Sequence, residues 1–153
     1  KPSSAASDVY KRQGFELFII TNQAGIGRGY FTEKQLHATN ERVCEEFAKF
    51  GVTFRKIYFA PEAPDQPSRN RKPSPQMIFD ARDEFGIDLS ASYMVGDKEL
   101  DIECGTNAGV KLSVLVRTGY GIEHETKLKQ THKHYTAVDT LGDFTDLVLG
   151  QSN

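Results

Sequence analysis

The chain is short of what builds disulfide-stapled, membrane-spanning or nucleic-acid-binding proteins. Its 153 residues include two cysteines, Cys44 and Cys104. They make neither a zinc spacing nor a disulfide framework, which fits a reduced, cytoplasmic setting. No apolar run approaches the ~20 residues that a membrane helix needs, so no membrane partner is expected. The longest run, Phe15–Thr21, has the length of a strand. No basic, apolar signal segment is visible at the start. Excess positive charge is missing too: 19 Lys and Arg against 21 Asp and Glu leave a formal charge of −2. Nucleic acid is therefore not the expected main partner. Nothing repeats along the chain. What remains, 38% apolar and 26% charged residues, is enough for one folded domain with a real core. No helix shows an exposed apolar stripe that demands a partner, so a monomer is expected.

Lys1–Gln13 has no apolar period and no helix-capping pattern. The string Ser3-Ser4-Ala5-Ala6-Ser7-Asp8-Val9-Tyr10-Lys11-Arg12-Gln13 resembles a translated transposase-type sequencing adapter. Residues 1–13 are therefore set apart as a non-native or disordered leader. Residues 14–153 are read as the domain, incomplete at its N-terminus.

From Gly14 the apolar pattern alternates between strand and helix periods. Phe15–Thr21 is a short run of β-formers, and Asn22–Phe31 is a glycine-rich loop. Thr32 is placed to cap a helix from Glu33 to about Phe50, with Leu36, Val43, Phe47 and Phe50 on its apolar face and Gly51 as its stop. Arg55–Ala60 reads as a strand, and Pro61–Pro75 as a polar loop without apolar anchors. A helix over Gln76–Phe85 carries Met77, Ile78, Ala81 and Phe85 as a buried stripe and stops at Gly86. Next come a strand at Tyr93–Val95, a helix at Glu99–Ala108 closed by Gly109, and a strand at Leu112–Val116. A short helix at Glu123–Lys129, a weak strand at Tyr135–Val138 and a terminal helix at Leu141–Leu149 complete the chain. This alternation predicts an α/β fold, a Rossmann-like three-layer architecture with a parallel sheet and helices on both faces. Ligands of such sheets gather beyond the carboxyl ends of the strands. The loops opening at Thr21, Ala60 and Gly96 are then the candidate site.

Each of these loops carries chemistry, and each also has a plainer reading. Thr21-Asn22-Gln23 offers a hydroxyl and two amides to an anion, or closes a turn on its own side chains. Gln23–Tyr30 is glycine-rich but lacks the Gly-Lys-Ser/Thr ending of a P-loop. Its Arg28 either approaches a substrate anion or is solvated. Arg71-Lys72-Pro73-Ser74-Pro75 holds a lysine in a proline-stiffened turn, suited to charge on a transferring phosphoryl group, or is an exposed basic loop. Gly96-Asp97-Lys98-Glu99-Leu100-Asp101 places two carboxylates one helical turn apart, suited to Mg²⁺ or serving the helix dipole. His132-Lys133-His134 reads as a solvated connector, and both cysteines as buried small apolar groups.

In order, these strings resemble motifs II, III and IV of the haloacid-dehalogenase-type phosphatases. Thr21 through Gly29, Arg71-Lys72-Pro73 and Val95 through Asp101 look like the branch that holds heptose-bisphosphate phosphatase and histidinol-phosphatase. The resemblance covers essentially all of Gly14–Leu149. It implies a Mg²⁺-dependent phosphomonoesterase working through an aspartyl-phosphate on the first strand. By position, Thr21 would hydrogen-bond the phosphoryl group, and Asn22, Gln23 and Ala24 would line the substrate pocket. Lys72 would neutralise phosphoryl oxygens and Arg71 would contact the rest of the substrate. Asp97 would bind Mg²⁺, Lys98 would reach the substrate, and Asp101 would support the metal site.

Two departures stand out. The family's Asp-x-Asp is absent: Asp8 is the only Asp before Thr21, and Tyr10 stands where its partner belongs. The first strand and its nucleophile are therefore expected to be missing, and the chain as given is expected to be inactive. The loop Phe59–Asn70 contains neither Cys nor His, whereas many relatives carry a zinc site there, so no zinc is expected. The expected substrate is a phosphorylated small molecule, first the 7-phosphate of a manno-heptose bisphosphate. Histidinol phosphate and a non-catalytic phosphate-binding role are the alternatives.

Overall fold

The computed structural model describes residues 14–131 and 135–152. The leader 1–13 and the His132-Lys133-His134 connector lie outside the described residues. The chain divides into two compact units, the first ending at Arg71 and the second opening at Lys72.

In the first unit, strand β1 (Leu17–Asn22) runs parallel to β2 (Phe54–Ala60), with Thr21 opposite Phe59 and Asn22 opposite Ala60. Between them lie a single helical turn, α1 (Ala24–Gly27), and the helix α2 (Glu33–Ala48). Thr32 caps α2 as expected, and reciprocally. Its Oγ1 accepts the Gln35 N–H at 3.1 Å, while Gln35 Oε1 accepts the Thr32 N–H at 2.8 Å. The apolar face of α2 starts at buried Leu36, and Phe47 meets Phe54 edge-on at 5.2 Å. Phe50 departs from expectation and is 45% exposed. The helix ends at Ala48, so Phe50 leaves the 3.6-residue period, and Val52 takes the buried position instead. Cys44 is only half-buried. Ala63 is buried inside the Pro61–Pro75 loop, which the sequence reads as having no apolar anchor.

The second unit holds α3 (Gln76–Phe85), β3 (Tyr93–Gly96), α4 (Glu99–Ala108), β4 (Leu112–Val116), α5 (Gly121–Thr131), β5 (Thr136–Val138) and α6 (Leu141–Ser152). Its strands form a parallel sheet in the order β3-β4-β5. Crossovers through α4 and α5 are what parallel neighbours require. Ile102, Leu115 and Leu128 are buried together, with Tyr135 and Ala137 packed against them. Helix α4 lies close on the sheet because residue 105 is glycine: a Cβ there would stand 2.1 Å from Ser113 Oγ and 2.7 Å from Met94 Cβ. Within each unit the parallel α/β expectation holds. Among the described residues no helix is long and apolar enough to cross a membrane.

Candidate active site

The residues singled out by sequence fall on both units. Thr21, Asn22, Gln23, Ala24 and Arg71 belong to the first, and Lys72, Asp97, Lys98 and Asp101 to the second.

In the first unit, β1 delivers Thr21 and Asn22 to the carboxyl end of the ladder. Gln23 continues the pairing, its N–H reaching Ala60 O at 2.7 Å. Its Nε2 donates to Thr21 Oγ1 at 3.1 Å, so amide and hydroxyl form one local unit. Ala24 opens α1, a turn the sequence pattern did not reveal. Four residues carry no period, and the turn is tied down from outside by the Gly27 N–H on Pro61 O at 2.8 Å. Arg28 is exposed. Arg71 is held by partners that the sequence did not point to. Its N–H donates to Ser68 Oγ at 2.9 Å and its Nη1 to Glu62 O at 3.3 Å, while Ser68 Oγ donates to Glu62 Oε2 at 2.8 Å.

In the second unit, Lys72 and Asp101 meet. Lys72 Nζ donates to Asp101 Oδ1 at 2.6 Å, with both side chains at or below 12% exposure. Asp101 Oδ2 accepts the Lys98 N–H at 3.2 Å, a backbone donor at the start of α4. Gly96 makes room for this carboxylate, because a Cβ there would stand 2.2 Å from Asp101 Oδ2. Asp97 points elsewhere. Its Oδ2 accepts the Tyr120 N–H at 3.1 Å, and its Oδ1 makes no hydrogen bond among the described residues. The Lys72–Pro73 peptide is cis.

Neighbouring groups are less reactive. Burial pushes the Cys104 thiol up to about 11, against the charge of Lys72 and with that of Asp101. Its Sγ lies 3.3 Å from Ser74 O, so it is a packed thiol and not a nucleophile. Farther along the sheet, Arg117 donates through Nε and Nη2 to the two oxygens of Glu125, at 2.7 and 3.1 Å, and through Nη1 to Asp139 at 2.9 Å. Tyr135 Oη donates to Glu125 Oε1 at 3.0 Å. The Arg117 guanidinium, with Tyr135 adding to it, brings the Glu125 carboxyl down to about 2, against the effect of burial.

A divalent cation can be tested against these groups. Among the described residues no set of three His, Cys, Asp or Glu side chains is placed to hold a metal ion. Mg²⁺, however, keeps several waters and takes one or two carboxylates. Asp97, with Oδ1 uncommitted, fits that demand. Asp101, committed to Lys72 and to the Lys98 N–H, fits a supporting place.

A parallel α/β fold with these loops defines a class, the HAD-like hydrolases, and a family model described as HAD-hydrolase-like matches residues 69–144. Within that class the chain is similar to the D-glycero-D-manno-heptose-1,7-bisphosphate 7-phosphatase of Chlorobaculum tepidum, at 37% identity over 94% of this chain and 77% of that protein. The Yersinia pestis D-glycero-β-D-manno-heptose-1,7-bisphosphate 7-phosphatase is 42% identical over 75% of this chain and 65% of its own length, so this chain spans about two thirds of that relative. Among solved structures, the D,D-heptose 1,7-bisphosphate phosphatase from B. bronchiseptica, complexed with magnesium and phosphate, superposes with a TM-score of 0.85 at 26% identity, covering 98% of this chain and 83% of that one. The chain belongs to the HAD-like hydrolases and, within them, to the family of these heptose-bisphosphate phosphatases.

Proposed function

We propose that the protein is a Mg²⁺-dependent phosphomonoester hydrolase that removes the 7-phosphate of D-glycero-D-manno-heptose 1,7-bisphosphate. The observation that carries this reading is the 37% identity, over 94% of the chain, to a phosphatase named for that substrate. The geometry of the second unit supports it. Lys72 is a nearly buried ammonium, the group expected to neutralise charge on a transferring phosphoryl oxygen. Asp97 would hold Mg²⁺ through Oδ1, and the ion, when bound, would act as a Lewis acid on a phosphoryl oxygen. Asp101 keeps Lys72 in place and, through the Lys98 N–H, sets the first turn of α4. Thr21 would contribute its hydroxyl to the phosphoryl group, while Asn22, Gln23, Ala24, Arg71 and Lys98 would contact the rest of the substrate. A nucleophilic Asp on a strand ahead of Gly14 completes the reading. Its carboxylate attacks phosphorus, the ester P–O bond breaks, and a second Asp two positions on protonates the leaving oxygen. That second Asp, now ionised, takes a proton from a water that attacks the aspartyl-phosphate, which frees inorganic phosphate and restores the nucleophile.

Phosphate release tests the proposal. The protein would carry an Asp-x-Asp strand in place of residues 1–13, and the chain as given would be the control. Faster release from heptose 1,7-bisphosphate than from histidinol phosphate, with no release from the control, is the expected result. The reverse preference would assign the protein to histidinol phosphate. Phosphate binding without release from either ester, in a folded protein, would leave a phosphate-binding domain and refute hydrolysis.

A further inference from the structure

The loop that carries Asp97 is held in place by a segment absent from every motif named so far. Tyr120 lies 23 residues beyond Asp97, just ahead of α5, and donates its backbone N–H to Asp97 Oδ2 at 3.1 Å. Residue 119 is glycine for two reasons. Its φ is +60°, and a Cβ would stand 2.4 Å from the same Asp97 Oδ2. The carboxylate therefore occupies the space a side chain would fill. The next residue, Lys98, sets its ammonium 5.0 Å from the centroid of the Tyr120 ring, which is itself 58% exposed. The residue after that, Glu99, donates its N–H to His124 Nδ1 at 3.1 Å. This satisfies one of the orphan donors at the start of α4 and fixes the histidine tautomer with its proton on Nε2. The segment is itself coherent: the His124 N–H returns to Tyr120 O at 3.0 Å, and the two rings meet edge-on at 6.4 Å.

We propose that residues 119–124 are a positioning brace for the Asp97–Glu99 loop. Tyr120 N–H commits one oxygen of Asp97 and so turns Oδ1 toward a divalent cation. The Tyr120 ring parks the Lys98 ammonium, and His124 fixes the first peptide of α4. A group that orients a metal-binding carboxylate in this way typically governs metal affinity about 10- to 100-fold. The inference rests on the metal reading of Asp97 given above, so its test begins with a measurement that needs neither metal nor turnover.

Amide hydrogen exchange on the 153-residue chain is that measurement. The Tyr120 amide is expected to exchange about 10-fold faster in Asp97→Ala and at the wild-type rate in Asp97→Asn, which keeps the acceptor. The Glu99 amide is expected to accelerate similarly in His124→Ala. Mg²⁺ alone is then titrated against the same chain. Gly119→Ala is expected to weaken uptake about 10-fold or more. Tyr120→Ala keeps the N–H and is expected to bind as the wild type does. Unchanged Tyr120 exchange in a folded Asp97→Ala variant would overturn the brace, as would equal Mg²⁺ affinity in folded Gly119→Ala and wild type. Should Gly119→Ala fail to fold, the exchange rates in the Asp97 variants decide alone. A wild-type chain that takes up no Mg²⁺ would overturn the metal reading instead, and the exchange rates would still settle whether the brace exists.

Discussion

Lys72 and Arg117 each meet carboxylates from other elements of the second unit, but the two clusters are closed to different degrees. Arg117 spends its fork on both oxygens of Glu125 and on Asp139, and Glu125 also accepts from Tyr135. That cluster ties the end of β4 to α5 and to the residue after β5, and it engages both oxygens of Glu125. Lys72 meets Asp101 at 2.6 Å as a compact point charge on a flexible stem, beside a loop whose Asp97 keeps one oxygen uncommitted among the described residues. A guanidinium suits a fixed, planar, multidentate brace. An ammonium suits charge that must later face an anion. On the function proposed above, the chemistry belongs to the incompletely committed loop and not to the more extensively paired cluster.

That contrast can be broken from either side. The largest effect is expected from Asp101→Ala, which removes the carboxylate that meets the nearly buried Lys72 ammonium and the acceptor of the Lys98 N–H. Removing one partner of such a pair costs about 3–5 kcal/mol, and urea unfolding should show it, with Asp101→Asn losing less. Next come the Arg117 partners. The Glu125 carboxyl lies at about 2, below its ordinary 4.5. Its contribution to stability is therefore fully present above pH 4.5 and is lost as pH falls toward 2. Glu125→Gln should lower the melting temperature at pH 7 and flatten that acid limb. A melting curve that keeps the limb would move the acid sensitivity elsewhere. Thr32→Ala, outside both clusters, should cost about 1 kcal/mol through the lost cap on α2. The smallest effect belongs to Ser113→Ala. Ser113 Oγ is buried without a hydrogen-bond partner among the described residues, so the change should be neutral or slightly stabilising.

Much of the fold was legible where an apolar period ended on a glycine. Helices Gln76–Phe85 and Glu99–Ala108 match the expected bounds, and each closes on a left-handed glycine, Gly86 at +65° and Gly109 at +78°. Strand Leu112–Val116 also matches, as a buried run with only Ser113 interrupting its apolar side chains. Where period and stop disagree, the sequence pattern misplaces the boundary. The apolar period extends the helix face to Phe50, whereas the helix ends at Ala48 and Phe50 is 45% exposed. The one-turn helix Ala24–Gly27 has too few residues for any period and depends on the carbonyl of Pro61.

The candidate site shows the same division. The Lys72–Asp101 pair joins residues 29 apart, yet both sat in recognisable motifs. Tyr120 and His124 sat in none, and their contacts span 23 and 25 residues. One signal was available. Thr118-Gly119-Tyr120-Gly121 follows the carboxyl end of β4, where the strand-end rule directs attention. Applied to the fourth strand as well as to the earlier ones, that rule would have found the segment.

The most direct test separates the two clusters by what they do. In a protein carrying an Asp-x-Asp strand in place of residues 1–13, phosphate release and melting temperature would be measured for Lys72→Met and for Glu125→Gln. Lys72→Met is expected to lower kcat about 100-fold or more in a protein that still melts cooperatively. Glu125→Gln is expected to lower the melting temperature while kcat stays near that of the parent. A Lys72→Met protein with parental kcat, or a Glu125→Gln protein whose turnover collapses without loss of stability, would refute this division between the two clusters.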